Sequence, residues 1–237
     1  MALSQPVLAT DHANQPVTAL HVKSFHDACL GLASWPKTAV DFAEADVWHW
    51  VATNHRNNCL LWDEEDLARR TRATDADITA NKRAIDGYNQ ARNDATERVD
   101  EFLLLSLGLI DAATASSDQP VAKVSASARL NSETAGSIMD RMSIMSLKIK
   151  AMTAQTVRVD VDGAHRESSA LKLQRLHEQR NDLGVCLDQL LADSRAGTAY
   201  FKVYRQFKMY NDPRFNPVLV AELAAAKVQQ QARSEQQ

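Results

Sequence analysis

Between residues 55 and 69 the sequence sets His55, Asn58, Trp62, Glu65 and Arg69 at steps of 3, 4, 3 and 4, the interval that keeps side chains on one face of a helix. One stripe thus joins an imidazole, an amide, an indole and an acid–base pair. With an unperturbed pKa of about 6.5, His55 suits proton exchange at neutral pH, and His55 and Glu65 are the candidate catalytic groups. They lie two to three turns apart, too far for Glu65 to orient the imidazole, so its natural task is to hold an arginine. A charged stripe on a helix usually faces water. Trp62, flanked by Leu60 and Leu61, argues for packing against neighbouring helices, with its N–H bonded.

A second stripe, Ile78, Lys82, Ile85, Asn89, Arg92, Thr96, Val99 and Leu103, follows the 4-and-3 steps of a core-facing seam while enclosing a polar middle. Glu133, Ser137, Asp140, Ile144 and Leu147 share a third face, with Arg141 and Lys148 beside it, and Arg180 stands among Leu173, Leu176, Leu183, Leu187 and Leu190. Buried charge costs several kcal/mol per ion unless paired, so these groups must satisfy one another in a shared polar centre. His55, Asn58, Glu65, Arg92, Asn93, Asp140 and Arg141 are expected to converge there. Two readings stay open. In one, Glu65, Asp140, Arg92 and Arg180 pair and fix helix register. In the other, Asn58, Trp62, Arg69, Asn89, Arg92, Asn93, Asp140 and Arg141 bind a phosphate or sugar-phosphate, Arg92 and Arg141 clamping phosphate oxygens in bidentate geometry.

Other chemistries find little support. His55 and Cys59 are one turn apart, but there is no H-E-x-x-H and no C-x-x-C, so no metal site is expected. Phosphate-loop, dinucleotide-turn and nucleophile-elbow patterns are absent, and no cofactor can be named. With 27 Lys and Arg against 30 Asp and Glu, the net charge of −3 provides no field for nucleic acid. The aromatics Tyr200, Phe201, Tyr204, Phe207 and Tyr210, with Lys202, Arg205 and Lys208 among them, read as a packing face with a basic flank. Three scattered cysteines, and no apolar run approaching the roughly 20 residues of a membrane span, point to a protein of the cytoplasm without membrane insertion.

Seven glycines and six prolines in 237 residues leave few breaks, so long helices must carry these stripes. The expectation is an all-α antiparallel bundle. It comprises a flexible arm over residues 1–16, one helical domain over 17–217, and a C-terminal helix and frayed tail over 218–237. Helices are expected over Val17–Leu32, Thr38–Arg70, Thr74 or Asp75 to Ile110, Ser132–Met152, Asp162 or Gly163 to Arg195, Thr198–Tyr210 and Pro217–Ser234. A long loop fills Asp111–Arg129, a turn is expected at Asn211–Pro213, and TVRVDV (Thr156–Val161) reads as a short strand or hairpin edge.

Five segments carry a family resemblance: NHRNNCLLWDEEDLARR (Asn54–Arg70), NKRAIDGYNQARNDATERVDEFL (Asn81–Leu103), NSETAGSIMDRMSIMSLKIKAM (Asn131–Met152), QRNDLGVCL (Gln179–Leu187) and FKMYNDPRFNP (Phe207–Pro217). In this order they resemble the bacterial domain of unknown function family 4254, over about residues 20 to 217. Ala135 stands where that family often has proline. The resemblance implies a helical bacterial protein associated with surface polysaccharide assembly, with a glycosyltransferase or a nucleotide-sugar as partner. The function expected is an accessory one, the alternative being an enzyme on a phosphorylated sugar or nucleotide-sugar; a homo-oligomer is left open.

Overall fold

The computed structural model describes residues 5–13, 15–207 and 214–234. Among them are seven helices: α1 (Gln5–His12), α2 (Ala19–Gly31), α3 (Val47–Ala68), α4 (Asp75–Ser106), α5 (Ala135–Thr156), α6 (Gly163–Arg195) and α7 (Pro217–Ser234). Two-residue strands β1 (Arg129–Leu130) and β2 (Ala199–Tyr200) pair in parallel. The protein is all-α. It divides into two compact units, residues 1–204 and 205–237. The second contains α7, whose Val218, Val220, Leu223 and Val228 are exposed.

In the first unit α3 and α4 form one long hairpin and α5 and α6 another, with α2 against the second and α1 against α2. Side-chain caps set where these helices begin. Asp46 accepts from Trp48 N–H, Thr134 from Ser137 N–H and Asp162 from His165 N–H, each satisfying a donor that the first helical turn leaves free. At the start of α4, Thr74 and Asp77 cap each other's backbone reciprocally. Between the hairpins lies a core whose largest fully buried members include Trp48, Phe25, Leu104, Ile138, Met142 and Leu187.

Four expected elements differ, each for a local reason. Residues 5–12, expected in the polar arm, are helical, and Leu8 on that helix is buried. The helix expected from Thr38 begins only at Val47: Val40 and Phe42 are both buried, and residues two apart share a face in extended chain, not in a helix. The same period governs the segment from Thr198, expected as a helix. Gly197 ends α6 with φ +71°, and Ala199 and Phe201 are buried on β2 and its continuation; Tyr210 and the turn at 211–213 lie outside the described residues. TVRVDV is no strand, because Val157 and Val159 are exposed and its backbone turns from α5 into α6.

The α5 backbone comes close to α4 at Gly136. A Cβ added there would sit 2.6 Å from the Thr96 carbonyl oxygen and 3.0 Å from an Asp100 carboxylate oxygen, both held inside the bundle. Gly136→Ala should therefore cost about 1–3 kcal/mol of unfolding free energy, the usual range for overpacking, measured by urea denaturation. A loss below about 0.5 kcal/mol, typical of surface substitutions, would contradict so close an approach.

Candidate functional site

The polar middles of α3, α4 and α5 meet on one carboxylate. Asp140 Oδ1 accepts from Asn54 Nδ2 and Asn58 Nδ2, both at 2.9 Å, and faces Arg92 Nε at 3.6 Å. Asn58 also donates to Ser143 Oγ at 3.0 Å, and Asn54 to Thr96 Oγ1 at 3.1 Å. The one-turn spacing of Asn54 and Asn58 on α3 puts both amides over the same point of α5. Arg92 Nε is buried and reaches no hydrogen-bond acceptor among the described residues; its contact with Asp140 is an ion pair beyond hydrogen-bonding distance.

Above this layer a cavity of about 370 Å³ opens between the three helices. Six of the selected residues line it: Asn58, Trp62, Glu65, Arg69, Asn89 and Arg92. Glu65 and Arg69 pair at 3.2 Å on its exposed rim, where Arg69 also meets Asp66 at 3.4 Å. Leu61, Ile85, Ile144 and Leu147 supply apolar wall. Asp140 stands behind Arg92 and completes the shared centre.

The remaining selected residues are elsewhere. Arg141 is exposed and paired with Glu133, because it follows Asp140 by one residue and so points about 100° away around α5. Asn93, one position after Arg92 on α4, is half-buried outside the cavity lining for the same reason. His55 is fully buried beneath the cleft, bonded through Nδ1 to Ser143 Oγ at 2.7 Å. Its ring stacks on His26 at 4.3 Å and on Trp35 at 5.5 Å between centroids. Of the four charges that the register reading pairs, Arg92 and Asp140 meet, whereas Glu65 pairs with Arg69 and Arg180 with Asp27 at 2.5 Å.

Burial governs the ionisable groups around this core. It pushes His55 down to about 3, a hydrogen bond to the His26 backbone opposing and the Lys150 charge adding to the shift. His26 is also held well below its ordinary value by burial, then by His55 and Arg180, and neither of its ring nitrogens has a partner among the described residues. Burial pushes Cys59 up to about 12 and raises Cys29, so neither buried thiol ionises at neutral pH. Asp100, beneath the start of α5, is pushed up to about 7 by burial, against hydrogen bonds from Thr134 and the Gly136 backbone. Among the described residues no group of three His, Cys, Asp or Glu side chains converges as metal ligands, and no helix is long and apolar enough to cross a membrane.

Asn54, Ser143 and His26 were not singled out in the sequence. Asn54 had a signal, one turn before Asn58 on the same stripe, whereas His26 had none. A larger cavity of about 750 Å³, walled mainly by residues such as Ala9, Val17, Phe42, Phe102 and Leu103, gathers none of the selected side chains.

The low pKa of His55 has a definite sign. Between about 3 and its unfolded value of about 6.5 the unfolded chain holds the extra proton, so this contribution is complete above that window and is lost as pH falls through it. The slope is about 1.4 kcal/mol per pH unit for one histidine. Asp100 acts oppositely, its stabilisation fading as pH rises from about 4 towards 7. Urea unfolding at pH 6.5 and 4.5 should show His55→Gln losing less stability on acidification than the unmodified chain, by about one proton's slope. Parallel losses would show that His55 is not held neutral.

The family described as protein of unknown function (DUF4254) matches residues 48–203, a span that contains the whole cleft and is narrower at both ends than the resemblance over 20–217. No curated protein and no solved structure matches the chain.

Proposed function

Because the chain belongs to the DUF4254 family, whose description names no activity, we propose its function from the geometry of the cleft: it binds a phosphorylated sugar or nucleotide-sugar between α3, α4 and α5 and does not itself turn it over. The observation that carries this reading is the division of the polar seam into an open part and a sealed part. Asn89, Trp62 and Arg92 line the cavity, and the buried Arg92 Nε has no hydrogen-bond acceptor among the described residues. His55, the group best suited to exchange a proton, lies at 0 % exposure with its imidazole neutral. Glu65 reaches the cavity only from its rim, where Arg69 neutralises it. Such a site supplies recognition without a positioned acid or base.

In this proposal the protein is an accessory of surface polysaccharide assembly in the cytoplasm, presenting or sensing the ligand beside a glycosyltransferase. The polysaccharide setting is what the sequence resemblance implies, the family description itself naming no process, compartment or partner.

Thermal unfolding with a panel of nucleotide-sugars and sugar phosphates tests the reading. A ligand at about 100 times its Kd adds about 2.7 kcal/mol to folding, and Arg92→Ala should abolish the resulting shift. Silence of the whole panel contradicts ligand binding in the cleft. Conversion of a bound ligand, lost in a folded His55→Gln protein, would contradict binding without turnover.

A further inference from the structure

A phosphorylated sugar or nucleotide-sugar has two chemically different ends, a neutral ring and a charged phosphate, and only one can fill the cleft. We infer that the cleft takes a neutral pyranose ring, with the phosphate or nucleotide left at its mouth. This rests on the proposed ligand class and deepens it.

Charge balance is the first ground. The charged residues of the lining are Glu65, Asp66, Arg69 and Arg92, two acids and two bases, and Asp140 stands behind Arg92 at 3.6 Å. Arg69 is already engaged by both rim acids. A phosphate entering this space would meet no net positive field, whereas anion sites concentrate unopposed cations or helix N-termini. Arg92 therefore offers hydrogen-bond donors rather than surplus charge.

Size is the second. Small-ligand sites span about 300–1,000 Å³, and 370 Å³ lies near the lower bound. That admits a single sugar ring but not a whole nucleotide-sugar.

Chemistry is the third. A pyranose presents apolar C–H faces and a rim of hydroxyls. Trp62 provides a flat aromatic surface with an indole N–H, and the Asn89 amide provides a donor and an acceptor on one side chain. Arg92 extends a planar donor set beside them, while Ile85 and Ile144 close the apolar side. Apolar wall with a few convergent amides and donors matches hydroxyl recognition.

Isothermal titration distinguishes the ring from the phosphate. The probes are UDP-glucose, UDP-galactose and GDP-mannose, the bare nucleotides UDP and GDP, and the methyl glycosides of the same sugars. The expected result is a methyl glycoside binding within about tenfold of its nucleotide-sugar, with little salt dependence because no ion pair forms. Both affinities should fall about tenfold in Asn89→Ala, the equivalent of one lost hydrogen bond. Trp62→Phe, which keeps an aromatic face, should weaken both by a smaller factor. A nucleotide-sugar that binds while every methyl glycoside is more than about a hundredfold weaker overturns the ring assignment and leaves the proposed function standing. Binding indifferent to Asn89→Ala and Trp62→Phe overturns it too, and silence of every nucleotide-sugar and glycoside overturns both.

Discussion

A carboxylate on which two amide donors and one guanidinium charge converge, from two helices other than its own, organises this protein. Asp140 lies largely out of water, its side chain 15 % exposed, and a charge so placed is tolerated only when its lone pairs are used. Asn54 and Asn58 supply two hydrogen bonds from α3, and Arg92 supplies the compensating charge from α4. This single demand fixes the rotation of three helices about their axes, since a turn of any one would carry its donor or acceptor away. The cleft follows from it. Once Arg92 is drawn towards Asp140, Asn89 and Ile85, on the same face of α4, stand opposite Trp62 on α3.

The polar seam continues inward from the cleft, and its character changes with depth. Ser143 accepts from Asn58 on one side and contacts His55 on the other, so the amide layer passes into a stack of rings, Trp35 on His55 and His55 on His26. Beyond it Arg180 donates to Ser146 and pairs with Asp27. At the cleft, Glu65 and Arg69 reach water, and the buried Arg92 Nε has no hydrogen-bond acceptor among the described residues. In the stack, burial holds the imidazoles neutral, and neither ring nitrogen of His26 has a hydrogen-bond partner among the described residues. Binding chemistry and architectural chemistry thus occupy two ends of one seam.

Much of this was legible in the sequence. The scarcity of glycine and proline required long helices, Thr74 with Asp77 and Asp162 marked two starts, and the 3-and-4 spacings placed six cavity-lining residues on facing stripes. What escaped had physical causes. Val40 with Phe42, and Ala199 with Phe201, carry a period of two over so few residues that neighbouring helical patterns absorbed them. Arg141 and Asn93 each lie one residue from an inward-facing position, and one residue is a rotation of about 100° on a helix. The burial of His55 depends on α2 supplying His26 and on Trp35 beyond it, contacts that no local spacing encodes.

Asp140 takes two amide hydrogen bonds and the charge of Arg92, whereas Arg92 meets Asp140 alone as an ion pair, and unfolding free energies test this asymmetry directly. Asp140→Leu, Arg92→Leu and the double variant would be compared with the unmodified chain by urea denaturation. Asp140→Leu should cost about 1–3 kcal/mol, because it leaves the Asn54 and Asn58 amide donors without their acceptor. Arg92→Leu should cost clearly less, and the pair should couple by at least about 0.5 kcal/mol. An Asp140→Leu protein within about 0.5 kcal/mol of the original, or two single losses that add without coupling, would contradict the account.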